Sequence, residues 1–272
     1  MSIRAVVFDL DNTLVMEDES TLRAVEAAAG VARDRAGVDA GALARAATET
    51  AERIWKASPV FAYAETFGVW WGEGLWGEFA GDDEAMRAMR AFVPGFRRAV
   101  WRGALAAVGA SDEALAGDLE RAYAAARRSR ETIDPDAEVV LAALARDHRL
   151  GLLTNGAGDV QREKLSRTPF ARSFAAIVVS VEVGVGKPDP RIFEIAAERL
   201  GVAPSDAVYV GDSLVRDVAG AHAARMRAIW IDRGLWDEPA DAVPDERIER
   251  LSDLPAALDA LARRPASPRA TP

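Results

Sequence analysis

The sequence predicts an α/β fold, a Rossmann-like doubly wound parallel sheet whose core is interrupted by an inserted all-helical cap domain. Three observations predict it. Short apolar runs alternate with helical stretches in the second half of the chain, each run ends in a polar cluster, and residues 18–133 carry helical periodicity with no strand pattern.

The first strand is residues 3–8, Ile-Arg-Ala-Val-Val-Phe, β-branched and apolar enough to be buried, and Asp9-Leu-Asp-Asn-Thr follows it at once. Leu150-Gly-Leu-Leu-Thr154 reads as the second strand and ends in Asn155-Gly156. Ala175–Ser180 is the third and ends near Glu182. Ala207-Val-Tyr-Val-Gly211 is the fourth and ends in Asp212-Ser213, and Ala228-Ile-Trp-Ile-Asp232 is the fifth. Apolar residues at three-to-four spacing predict helices over 136–147, 157–166, 190–200 and 214–224 between them. In such sheets ligands bind outside the carboxyl ends of the strands, which is where the polar clusters fall.

The insertion is rich in Ala, Arg and Glu, with helices expected over 20–36, 40–56, 83–107 and 112–130. Residues 57–82 read as irregular or short-helical and hold Phe61, Tyr63, Phe67, Trp70, Trp71, Trp76 and Phe79, aromatics that either fill the core of the insertion or line a pocket. Arg127, Arg128 and Arg130 read as a solvated helix end, His148 and His222 as surface or packing residues, and 264–272 as a disordered tail.

Composition bounds the chemistry. With 34 Lys plus Arg against 43 Asp plus Glu, the net charge of −9 disfavours a nucleic-acid polymer as partner. Without cysteine there is no disulfide, thiolate nucleophile or iron–sulfur cluster, and with 2 His a multi-histidine metal site is excluded, so any metal must sit on oxygen ligands. No signal-type core opens the chain, and no uncharged stretch approaches the roughly 20 residues of a membrane span. The expectation is a cytoplasmic protein with no membrane partner; the sequence leaves its oligomeric state open.

A carboxylate pair such as Asp9 and Asp11 is by itself weak evidence, since a turn or a metal site has the same pattern. Its company is more specific: Asp9-Leu-Asp-Asn-Thr-Leu14 after one strand, Thr154-Asn-Gly after the next, Lys187-Pro-Asp-Pro before a helix, and Gly211-Asp-Ser-Leu-Val-Arg-Asp217. Gly184-Val-Gly-Lys187 is not a phosphate loop, because Val181 stands where the first glycine belongs and Pro188 where Ser or Thr belongs.

This set resembles the haloacid dehalogenase-like hydrolase superfamily of aspartate-nucleophile phosphohydrolases, in the branch with a helical cap inserted between the first two motifs, and is similar to the N-acylneuraminate-9-phosphatase-like group. The resemblance implies a core of residues 1–17 and 134–272 and a cap of 18–133, the latter without a motif of its own. It implies a phosphomonoesterase acting on a small phosphorylated metabolite. Asp9 is then the nucleophile that forms an aspartyl-phosphate and Asp11 the general acid/base. Thr154, Asn155, Gly156 and Lys187 bind the phosphoryl group, with Thr154 and Lys187 also assisting catalysis. Asp9, the Asp11 backbone carbonyl and Asp212 hold Mg2+. Ser213 bonds to a carboxylate or water, and Asp217 orients Lys187 or a metal-bound water. Three alternatives share these motifs: a phosphomutase, a haloacid dehalogenase, which the second carboxylate Asp11 argues against, and a non-catalytic binding module, against which the retained Asp9 and Lys187 speak.

Overall fold

The computed structural model describes residues 3–129, 131–235 and 241–263. After β1 (Ala5–Phe8) the chain runs through α1 (Glu17–Ala36), α2 (Ala40–Lys56), α3 (Phe61–Phe67), α4 (Trp71–Gly74), α5 (Glu84–Ala107) and α6 (Glu113–Ser129). It returns through α7 (Ala137–Leu144), β2 (Arg149–Thr154), α8 (Gly158–Ser166), β3 (Ala176–Val179), α9 (Ser180–Val183) and α10 (Pro190–Leu200). Then come β4 (Ala207–Gly211), α11 (Ala219–Ala223), β5 (Arg227–Ile231), β6 (Glu246–Ile248) and α12 (Leu254–Arg263).

The strands form one 6-stranded parallel sheet in the order β3-β2-β1-β4-β5-β6. β1 and β4 consist of residues buried on both faces, as a parallel sheet covered by helices requires. The strand order reverses direction between β1 and β4, and a ligand crevice opens at such a switch point outside the carboxyl ends. Val208 pairs with Val6 and Val210 with Phe8, so Asp9 and Asp212 emerge side by side from the two central strands.

The chain divides into two compact units, Met1–Val15 with Ile133–Thr154 and Thr168–Pro272, and Met16–Thr132 with Asn155–Arg167. In the first, Val7, Leu153, Val178, Ile192, Phe193 and Tyr209 belong to one buried apolar cluster between the sheet, α10 and α11. Glycine is required at 220, where a Cβ would meet the Phe193 ring and the backbone of Pro188. β6 and α12 are additions to the sequence reading, and the expected single helix over 214–224 begins instead as a wide π turn, Leu214–Val218.

In the second unit α1 packs on α6 and α2 on α5. Trp55, Trp76, Phe79 and Trp101 are buried core residues, whereas Phe61, Tyr63, Phe67, Trp70 and Trp71 are half-buried. Arg127 corrects an expectation. It is buried beneath the Trp76 ring instead of solvated, because Glu17 at 2.8 Å and Glu131 at 3.2 Å supply the compensating charge a buried guanidinium needs. Lys164 joins the same network, 2.8 Å from Glu73 and 3.1 Å from Glu17. Arg130 and the tail 264–272 lie outside the described residues. Among the described residues no helix is long and apolar enough to cross a membrane.

Candidate active site

The ladder of β1 does not stop at Phe8: the Asp9 N–H donates to Val210 O at 2.9 Å, so the β1–β4 pairing itself fixes where the Asp9 carboxylate leaves the sheet. Asp212 leaves β4 at the same edge, and its carbonyl accepts from Trp230 Nε1 of β5 at 2.7 Å. Lys187 arrives from the loop before α10, where Asp189 caps the helix by accepting from the Arg191 N–H and Pro190 occupies the first turn.

The lysine ammonium is the centre of the cluster. Nζ lies 2.8 Å from Asp9 Oδ1 and donates to Asp217 Oδ1 at 2.7 Å and to the Tyr209 hydroxyl at 3.0 Å. Three acceptors match the three N–H bonds of an ammonium. Asp217 is fixed from its other side, where Oδ2 accepts the Ser213 N–H at 3.0 Å, while Ser213 Oγ accepts the Arg216 N–H at 3.1 Å. The π turn of Leu214–Val218 is what brings Asp217 back under Gly211, and a Cβ on Gly211 would overlap the Asp217 carboxylate.

Burial pushes the Asp9 carboxyl well above the ordinary aspartate value; Lys187 opposes the rise, and Asp217 and Asp212 add to it. Burial works against the Lys187 ammonium, yet Asp217 and Asp9 outweigh it and raise its pKa above that of an ordinary lysine. Tyr209 is likewise raised by burial and by Asp217 and Asp9, so it stays a neutral phenol.

Asp9, Asp212 and Asp217 can bring one carboxylate oxygen each within 4.8 Å of one another. Three buried carboxylates, two of them bonded to the Lys187 ammonium, crowd negative charge into one place, which is costly without a further cation. An all-oxygen donor set of that charge suits a hard divalent ion such as Mg2+. Asp217 joins this group on geometry, although both its oxygens already accept hydrogen bonds. Asp11 is half-buried in the turn after β1 and contributes no carboxylate to the group.

Thr154 is buried at the last position of β2. Asn155 and Gly156 follow it in the chain and belong to the second unit. There Gln161 Nε2 donates to Asn155 O at 2.6 Å, and Gly156, at φ +134°, leaves room for that side chain. Tyr209 is a site residue the sequence reading missed. Its hydroxyl donates to Leu153 O at 2.9 Å, tying Lys187 to the strand that carries Thr154. The available signal was a polar-tipped aromatic inside the apolar run Ala207-Val-Tyr-Val.

Comparison with known proteins points the same way. A family model described as haloacid dehalogenase-like hydrolase matches residues 3–225. The chain is 40% identical over 253 residues to a phosphoserine phosphatase of Thermus thermophilus, covering 93% of this chain and 98% of that protein. It is 34% identical over 155 residues to human N-acylneuraminate-9-phosphatase, covering 56% of this chain and 62% of that one. Among solved structures, a 2-haloacid dehalogenase of Pseudomonas syringae pv. Tomato aligns at TM-score 0.56 and 29% identity, covering 95% of this chain and 99% of that one.

Proposed function

The chain belongs to the haloacid dehalogenase-like hydrolase family, and we propose that it is a Mg2+-dependent phosphomonoesterase acting on a small phosphate ester in the cytoplasm, with phosphoserine as the first candidate substrate. The observation that carries the chemistry is the buried Asp9–Lys187–Asp217 arrangement beside Asp212 at the switch point of the sheet. Phosphoserine is favoured because the alignment to the Thermus enzyme, 40% identical over 253 residues, covers 93% of this chain and so spans the inserted helices as well as the core.

In this reading an Asp9 oxygen attacks phosphorus as the ester P–O bond breaks, and the departing oxygen takes a proton from Asp11. Asp11, now a carboxylate, takes a proton from a water whose oxygen attacks phosphorus. The bond from Asp9 to phosphorus breaks, inorganic phosphate leaves and Asp9 is regenerated. Lys187 screens the charge that gathers on Asp9 and the phosphoryl oxygens. Thr154 Oγ and the N–H groups of Asn155 and Gly156 bind those oxygens. Asp9, Asp212 and the Asp11 carbonyl would hold Mg2+, which would supply the positive charge that lets a carboxylate approach an anionic phosphate. Asp217, engaged by Lys187 and Ser213, orients the lysine from outside the ligand set.

The structural relative named a dehalogenase makes attack on carbon the rival chemistry, and Asp11 separates the two: a halide leaves without a proton, whereas an alkoxide needs one. The test is a panel of L-phosphoserine, N-acylneuraminate 9-phosphate and a 2-haloacid, assayed with Mg2+ and with EDTA. Mg2+-dependent phosphate release with the highest kcat/KM on phosphoserine supports the proposal. Halide release without phosphate release contradicts it.

A further inference from the structure

Asp11 sits in a tight turn that an arginine outside every motif holds in place. Leu10 O accepts the N–H of Leu14 and of Val15, each at 2.9 Å, and Asn12 takes the left-handed conformation at φ +56°, which Asn tolerates better than most side chains. The turn buries Asn12 and Thr13, and a buried carbonyl needs a donor. Arg233, in the loop after β5, donates to both: Nε to Asn12 O at 3.0 Å and Nη2 to Thr13 O at 2.8 Å. The same Nη2 bonds Asp134 Oδ2 at 2.7 Å, with the Asp134 side chain only 4% exposed. Asp134 is itself tied to the turn, its N–H donating to Leu14 O at 3.0 Å.

Three segments far apart in sequence thus close on the Asn12–Thr13 and Thr13–Leu14 peptides, just downstream of Asp11. A planar guanidinium fork can hold two carbonyls and a carboxylate in one arrangement, which a lysine ammonium on a flexible stem does less well. The backbone torsions at Asp11 and Asn12 decide where the Asp11 carboxyl points, and at a strand end three residues past Phe8 a small rotation moves it by a large fraction of a hydrogen-bond length. We propose that Arg233 is a positioning residue for Asp11, holding its carboxyl in the geometry that protonates the leaving oxygen. This rests on the general-acid reading of Asp11 given above.

A lost proton donor is felt most by a poor leaving group. The experiment therefore compares kcat on an alkyl phosphate, whose alkoxide needs the proton, with kcat on p-nitrophenyl phosphate, whose phenolate leaves readily. It is run on the Mg2+-loaded parent, Arg233→Met, Arg233→Lys and Asp11→Asn, with thermal unfolding as a check on folding. Arg233→Met is expected to lose at least about tenfold more on the alkyl ester than on the aryl ester. Arg233→Lys, the variant least at risk of misfolding, is expected to show the same selectivity more weakly, and Asp11→Asn the same selectivity more strongly. Equal losses on both substrates in the arginine variants, with selectivity present in Asp11→Asn, would overturn the role given to Arg233 and leave the general acid standing. An Asp11→Asn variant without leaving-group selectivity overturns the general-acid reading and the positioning role with it.

Discussion

Lys187 Nζ stands 2.8 Å from Asp9 Oδ1, and the two are buried together between the ends of the central strands and the loop before α10. The pair joins a cation to the carboxylate that the mechanism uses as its nucleophile. Burial, with Asp217 and Asp212 adding to it, makes Asp9 reluctant to ionise, and Lys187 is the group that counters it.

Removing the cation should therefore remove catalysis without removing the fold. Lys187→Met is expected to lower kcat about 10²–10³-fold, the range for deleting a preorganised charge-stabilising donor, with KM changed much less. Steady-state kinetics on phosphoserine with Mg2+ checks it, and a variant within a factor of two of the parent would remove Lys187 from the chemistry.

Tyr209 holds the lysine from below and also satisfies Leu153 O. Tyr209→Phe keeps the ring against Phe193 but takes away one acceptor and one donor in a buried place. A stability loss of about 1–3 kcal/mol is expected in urea unfolding. A fall in kcat of up to about tenfold should accompany it, because Asp217 still positions the ammonium.

The metal-free protein should carry a measurable penalty for the acidic cluster. Since the Asp9 carboxyl is raised in the folded state by burial, its contribution to stability is present below the unfolded aspartate range and is lost as pH rises through the folded value. Asp9→Asn is therefore expected to unfold a few degrees higher than the parent in EDTA at pH 7, and to gain less from added Mg2+. Differential scanning calorimetry in EDTA and in Mg2+ reads both effects. A lower melting temperature for Asp9→Asn in EDTA would contradict the charge excess inferred for the site.

In the helical unit, Arg127 has a fully buried side chain between Glu17 and Glu131. Arg127→Met strips two buried carboxylates of a shared cation, and a loss of about 3–5 kcal/mol is expected in denaturant unfolding. An exposed arginine of the kind the sequence suggests would cost less than about 1 kcal/mol.

What the sequence could say followed from how local its signals are. β1, β2 and β4 are apolar runs that break abruptly into Asp9, Asn155 and Asp212, so strand, edge and chemistry are written within a few neighbouring residues. β6 is three residues, Glu-Arg-Ile, with no apolar run to announce it, and pairs only because β5 offers it an edge. Arg127 reads as a surface residue on α6 because Glu17, its partner at 2.8 Å, lies 110 positions away. Tyr209 and Arg233 share that difficulty: each acts on Lys187 or on the Asp11 turn through contacts that only the folded sheet creates. The π turn that brings Asp217 under Gly211 is likewise set by packing, since Leu-Val-Arg-Asp-Val has ordinary helical periodicity.

Covalent chemistry at Asp9 is read by stopping a single turnover of Mg2+-loaded enzyme on phosphoserine with acid and mapping the protein by mass spectrometry. One phosphoryl group is expected on the peptide bearing Asp9, formed before inorganic phosphate is released and absent from Asp9→Asn. A protein that releases phosphate with no phosphoryl group on any peptide, or an Asp9→Asn variant that turns over as fast as the parent, would contradict it.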